Sequence, residues 1–243
     1  MNTILVIARH PRFSPQAVEK DRLILQAVGL QLQRRWHVMT IEEEHLTAEM
    51  LAAEDIDGVV SMARTDNALR LLEQAEQCGM TVINTPLAVR LCSNRQQLYR
   101  SMEENGFLLP PAKATTPCWL KRADGWTEHP DEVYFSATDA DLKAAKALFA
   151  RRGIDKMITQ QHVEGQHVKF YGVGDTILYP ADFPLPPIHA HLNIDIYGGD
   201  AIIDEQGKCY IVDLNDFPSF AVCRAAAAQA IAHYVTEKLQ ATA

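Results

Sequence analysis

Asp200-Ala-Ile-Ile-Asp-Glu-Gln-Gly-Lys-Cys-Tyr-Ile-Val-Asp213-Leu-Asn215-Asp-Phe-Pro218 contains two apolar runs, 201–203 and 209–212, separated by Asp204-Glu205-Gln206-Gly207. Two such runs around a polar, glycine-ended turn predict an antiparallel hairpin. Asp213 and Asn215 are two residues apart on its second strand, so both side chains leave one face of the sheet. Asp200 opens the first strand, and antiparallel pairing returns it beside them. Two carboxylates and an amide oxygen meeting there make a hard oxygen site. Such a site suits Mg²⁺ or Mn²⁺, which takes its remaining ligands from phosphate oxygens and water. Ile202, Ile211, Val212 and Leu214 surround it, and a cation relieves the cost of burying carboxylates beside a core. The competing reading makes Asp213 a turn cap and Asn215 an Asx-turn ahead of Pro218. Lys121 and Lys169, on predicted strands upstream, favour the cation site.

Outward from this hairpin, the rest of the chain sets the context. With 243 residues and 47% hydrophobic composition it can bury a substantial core in one unit or two small ones. The longest early apolar run, 4–8, is too short for a signal-peptide core or a membrane span. A net charge of -8 argues against nucleic acid and anionic membranes as partners. Five scattered cysteines without a C-x-x-C pair indicate neither a disulfide framework nor a zinc knuckle. The expectation is a cytoplasmic protein acting on a small molecule, with a homo-oligomer compatible with everything in the sequence.

In the first ninety residues strands alternate with helices. Strands are expected at 4–8, 37–41, 58–62 and 81–84, with helices from a Ser14 cap to about 35, at 47–54, and from a Thr65 cap over 66–78. That alternation implies a parallel sheet with helical crossovers. Beyond Pro86 the texture changes. A helix capped by Ser93 runs to Gly106, strands follow at 118–121, 133–135 and 157–160, and a Thr138-capped helix covers 139–152. Val168 to Tyr171 and Thr176 to Tyr179 flank a Gly-Val-Gly-Asp turn, and a helix over 221–239 closes the chain. This second part is α+β and antiparallel.

The series Asp200…Asp213-Leu-Asn215-Asp-Phe-Pro218 resembles the metal-binding end of the ATP-grasp superfamily. There a carboxylate on one strand and an acidic-x-Asn pair on the next hold Mg²⁺ against ATP. The resemblance extends backwards in order over roughly residues 84–223. Asn84-Thr-Pro86 through Arg95 and Gly106-Phe-Leu-Leu-Pro110 are similar to the entry of that domain. Trp119-Leu-Lys121 is similar to the strand whose lysine contacts ATP phosphates. Gln160-Gln-His-Val163-Glu-Gly165 is similar to the adenine hinge, and His167-Val-Lys169-Phe-Tyr-Gly-Val-Gly-Asp175 to the hairpin after it.

The resemblance implies an α/β N-terminal parallel-sheet domain over 1–90, then an α+β ATP-grasp domain with antiparallel sheets over 91–243. Residues 112–165 would form its small nucleotide-clamping part. ATP and Mg²⁺ (or Mn²⁺) are the implied cofactors, with Asp200, Asp213 and Asn215 as metal ligands. Arg95, Lys121 and Lys169 would meet phosphates. Gln160 and the backbones of Gln161 and Val163 would meet adenine, and His167 the ribose, where related chains often place Glu. Lys121, Lys169 and the loop residue His129 are the catalytic candidates. For His129, contact with the second substrate or the transferred phosphoryl group competes with the ordinary solvent-facing role of a loop histidine. The loop 122–132 has one glycine, Gly125, where family members commonly use several.

A site holding ATP and Mg²⁺ can phosphorylate a carboxylate, for attack by an amine or thiol, or a hydroxyl. Residues 170–207 contain no Lys or Arg, although the Asp-Leu-Asn-Asp-Phe-Pro wording is locally similar to inositol-phosphate kinases. A polyphosphorylated substrate would demand cations in that wall. The favoured expectation is therefore a ligase acting on a small carboxylate. A small-molecule kinase and a nucleotide-binding protein without turnover are the alternatives. Cations for the second substrate are expected from Arg9, His10, Arg12 and Arg64, which follow predicted strands of the first domain.

Overall fold

A computed structural model describes residues 2–14, 16–112, 115–126, 132–181 and 183–242. The N-terminal part is β1 (Thr3–Ala8), α1 (Val18–Leu32), β2 (His37–Glu42), α2 (Ala48–Leu51), β3 (Ile56–Ser61), α3 (Asp66–Gln77) and β4 (Thr81–Ile83). The four strands form a parallel sheet in the order β2-β1-β3-β4. Leu5, Ile7 and Val59 bury one face beneath α2 and α3, while Ile4, Val6 and Val60 bury the other beneath α1. Both faces are covered, which is why 4–8 is a continuous apolar run rather than an alternating one. The chain turns outward from β1 to β2 and then back past it to β3. A crevice therefore opens at the strand ends between β1 and β3.

Next come α4 (Pro86–Ser93) and α5 (Arg95–Glu104). Here the structure corrects the sequence reading: 86–93 is itself a helix, and Asn94, not Ser93, caps α5 by accepting from the Gln97 amide. Ser14 likewise does not cap α1. Its hydroxyl donates to Asp21, and α1 starts only at Val18 without a side-chain cap. A boundary at 90/91 falls inside α4.

A three-stranded antiparallel sheet, β6-β5-β7, follows from β5 (Cys118–Arg122), β6 (Val133–Ser136) and β7 (Met157–Gln161), backed by α6 (Asp139–Arg151). The last sheet, β11-β10-β8-β9, is built from β8 (Gln166–Val173), β9 (Thr176–Tyr179), β10 (Ile196–Ile203) and β11 (Cys209–Asp216), with the short α7 (Ile188–Leu192) inserted. The pair β10/β11 is longer than predicted, so Asp200 lies inside its strand instead of opening it. α8 (Arg224–Thr242) returns to the parallel sheet, where Ile231 and Val235 join the cluster around Ile4, Val6 and α1. Among the described residues no helix is long and apolar enough to cross a membrane.

Candidate active site

The two strands of the final hairpin bring Asp200 directly opposite Asp213, and Gly198 opposite Asn215. Asn215 Nδ2 donates to Asp213 Oδ2 at 3.1 Å, so the group it can offer a cation is its amide oxygen. One irregularity interrupts the ladder. Asp200 pairs with Asp213 but Ala201 pairs with Ile211, leaving Val212 as an extra residue. Such a bulge turns a peptide group out of the ladder. The Val212 carbonyl accepts from Lys121 Nζ at 2.6 Å and from the Tyr99 hydroxyl at 2.9 Å.

Each carboxylate of the pair already has cationic company. Lys169, opposite Asp200 on β8, reaches Asp200 Oδ1 at 2.8 Å, and His167 Nε2 lies 2.8 Å from the same oxygen. Arg95, first residue of α5, lies 3.6 Å from Asp213 and donates to the Arg122 carbonyl at 3.1 Å. Burial alone would raise the Asp213 pKa, but Arg95, Lys121 and the Asn215 amide outweigh it and hold the carboxyl below its usual range. Lys121 is buried, and that burial pulls its ammonium down to about 8 despite Asp213. For Lys169 the hydrogen bond to Asp200 overcomes burial and raises the pKa.

A cavity of about 300 Å³ runs from Asp200 and Asp213 past Lys121 to Trp119, Gln160 and Val163. Arg95, Gln161 and His167 border it too, so the residues picked for adenine, ribose and phosphate share one space. Lys169 is not part of its lining; half exposed, it reaches the site through Asp200. His129 lies outside the described residues. The donor set fits Mg²⁺: two ionisable carboxylates and an amide oxygen, open on one side. Among the described residues no three His, Cys, Asp or Glu side chains converge into a closed metal cage. Remaining ligands would come from phosphates and water.

Several neighbours escaped the sequence reading. Tyr99 sits one helical turn after Arg95 and so shares its face, a spacing that could have revealed it. Trp126 and Phe13 close the far side of a second, adjoining cavity. The arginines expected to serve a substrate behave differently. Arg64 Nη2 binds Asp216 Oδ1 at 2.6 Å, and Arg9 Nη2 donates to the Phe217 carbonyl at 2.7 Å with Asp216 3.9 Å away. Burial and the neighbouring Arg64 bring Arg9 down to about 10. Both guanidinium groups thus gather around a carboxylate from β11, while Arg9 also borders a separate cavity of about 410 Å³ beside Asp21. His10 accepts from the Arg12 amide, and Arg12 lies over the Phe13 ring.

No protein-family model and no curated protein sequence matches the chain. Solved structures do. An ATP-grasp RimK domain protein from Sphaerobacter thermophilus is 17% identical, with a TM-score of 0.67 over 96% of this chain and 99% of that one. D-alanine–D-alanine ligase from Bacillus anthracis is 12% identical, with a TM-score of 0.77 over 100% of this chain and 99% of that one. The same ligase complexed with ATP gives 0.71 at the same identity and coverage. The chain has the ATP-grasp fold, with an N-terminal parallel-sheet domain in front of it.

Proposed function

We propose that this protein is an ATP- and Mg²⁺-dependent ligase that activates a small carboxylate as an acyl phosphate for attack by an amine or thiol. The observation that carries the reading is the register of Asp200 against Asp213, at the mouth of a cavity whose wall holds Lys121. The ATP-grasp fold and its ligase neighbours support the same class. Adenine would lie against Trp119, Gln160 and the 161–163 backbone, with the phosphates toward Lys121, Arg95 and Lys169. Residues 112–165 would act as the clamp.

The chemistry is mainly positioning and charge compensation. A carboxylate oxygen attacks the γ-phosphorus, the β–γ bridging P–O bond breaks and ADP leaves. An amine then attacks the acyl carbon and inorganic phosphate departs. Bound Mg²⁺ would offset phosphate charge. This chain's own residues do the rest. Asp200, Asp213 and Asn215 would hold the cation, and Arg95 and Lys121 would exchange their carboxylate and carbonyl contacts for phosphate oxygens. Lys121 remains largely protonated at neutral pH, as a phosphate contact requires.

Hydroxylamine tests this without knowledge of the natural amine, because it converts an acyl phosphate to a hydroxamate. With Mg-ATP and pooled carboxylates, ADP and hydroxamate should form together. Asp213→Asn should reduce both by about 10³-fold while the circular dichroism spectrum stays native. ADP accompanied by a phosphorylated alcohol and no hydroxamate would replace the ligase by a kinase. Wild-type turnover in the variant would remove Asp213 from the site.

A further inference from the structure

The second cavity, about 210 Å³, shares Arg95 and Asp213 with the nucleotide cavity and ends at Phe13, Arg64 and Trp126. It is smaller than typical drug-sized sites of roughly 300–1,000 Å³. Gly125 takes the left-handed conformation, φ 72°, immediately before Trp126. The loop's one glycine therefore shapes the turn that seats an aromatic ring, instead of opening a cradle of amides. Trp126 lies over the Arg64 guanidinium, 3.8 Å from ring centroid to Cζ, and meets Phe13 edge-on at 6.3 Å.

Among the described residues that line this cavity, the cation besides Arg95 is Arg64, and it is not available for an additional anion. All three nitrogens of Arg64 are engaged: Nε and Nη2 on Asp216 and Nη1 on the Phe13 carbonyl. Drawing Arg64 away would leave a fully buried carboxylate without its main counter-charge. Arg9 lies outside this lining, donates to the Phe217 carbonyl and sits between Asp216 and Asp21. Nor can one come from the strand beside Asp200. The position on that face is Gly198, where an added Cβ would stand 2.6 Å from Tyr171 Cδ1 and 2.8 Å from Pro218 Cγ. Cys92 completes the wall, its thiol kept neutral chiefly by burial.

We propose that the acceptor is a small monocarboxylate whose single negative charge lies at the Asp213 end and whose body packs against Trp126 and Phe13. Dicarboxylates and phosphorylated acids are rejected for want of a second cation. The inference rests on the ligase reading above and names its substrate class. Trp126 is its specificity-determining residue.

The experiment compares short aliphatic and aryl monocarboxylates with succinate and 3-phosphoglycerate in the hydroxylamine assay, alongside calorimetric titration of Mg-ATP. Monocarboxylates should give a kcat/KM at least about tenfold above the others. Trp126→Ala should raise the monocarboxylate KM about tenfold at unchanged Mg-ATP affinity, and Trp126→Phe should restore most of it. Preference for succinate or 3-phosphoglycerate, or an acceptor KM indifferent to Trp126→Ala, overturns the acceptor assignment and leaves the ligase reading standing. Absence of Mg-ATP binding overturns both.

Discussion

Asp213 and Asp216 stand three residues apart on β11, and strand alternation sends them to opposite faces. Asp213 borders the 300 Å³ cavity with its side chain 27% exposed, beside Arg95 and Lys121. Asp216 is fully buried, held by Arg64 at 2.6 Å and approached by Arg9 at 3.9 Å. The difference lies in what the counter-charges can still do. Arg95 and Lys121 face a cavity and can be shared with a ligand. Arg64 and Arg9 are buried against Asp216, so their pairing joins the parallel sheet to the final hairpin.

The comparison makes opposite substitutions informative. Asp216→Asn should lower unfolding free energy by about 3–5 kcal/mol, because it strands two buried arginines. In a chain of this size that is a fall of about 6–20 °C in Tm. Asp213→Asn should cost less stability and far more turnover. Equal stability losses for the two variants would show that Asp213 is also a structural pair, and would break the distinction.

That distinction also marks what the sequence could disclose. The Asp200–Asp213–Asn215 face was legible because its parts lie within one hairpin, where alternation and a short turn suffice. The strands of the parallel sheet were legible from apolar runs such as 4–8. The resemblance grouped Trp119, Lys121 and Gln160 in one site, and the structure lines one cavity with all three. Asp216 was not legible as a clasp, since its partners lie 152 residues away at Arg64 and further still at Arg9. Strand ends in α/β domains bind ligands often enough that arginines there suggested a substrate. Nothing local shows that another strand's carboxylate occupies them. The Val212 bulge was equally hidden, because a single unpaired residue leaves no mark on hydrophobic periodicity. Helix α4 was missed because Thr85, which caps it by accepting from the Ala88 amide, stands beside Pro86, read as a break rather than a first-turn proline.

Lys121 sharpens the comparison from the other face. Its ammonium rests on the Val212 carbonyl, a contact that nucleotide phosphates can replace. Lys121→Met keeps the length and removes the charge. It should weaken Mg-ATP binding about 10- to 100-fold, the range for a hydrogen bond to a charged group, read by calorimetry. Its effect on denaturation should be small, since an apolar side chain suits a buried strand position. A large stability loss with unchanged nucleotide affinity would place Lys121 with Asp216 as a structural group.

The smallest effect is expected from a third carboxylate in the same molecule, one with no ion pair among the described residues. Glu76, near the end of α3, is half-buried and pushed up to about 6, first by burial and then by Asp195 and Glu73. Asp195, just before β10, accepts from the Tyr234 hydroxyl and lies 3.5 Å from Lys238, while Glu73 is paired with Arg90. A carboxyl raised in the folded state contributes most below its unfolded pKa, near 4.5, and loses that contribution as pH rises through about 6. Above that it is a fixed penalty, reduced by solvent at a half-exposed site to less than about 1 kcal/mol. Glu76→Gln should therefore raise Tm by a degree or two at pH 8 and leave it unchanged at pH 4. A gain that persists at pH 4 would mean that packing, not charge, decides the site. A loss at pH 8 would show that Glu76, like Asp216, is paired across the boundary between the two sheets.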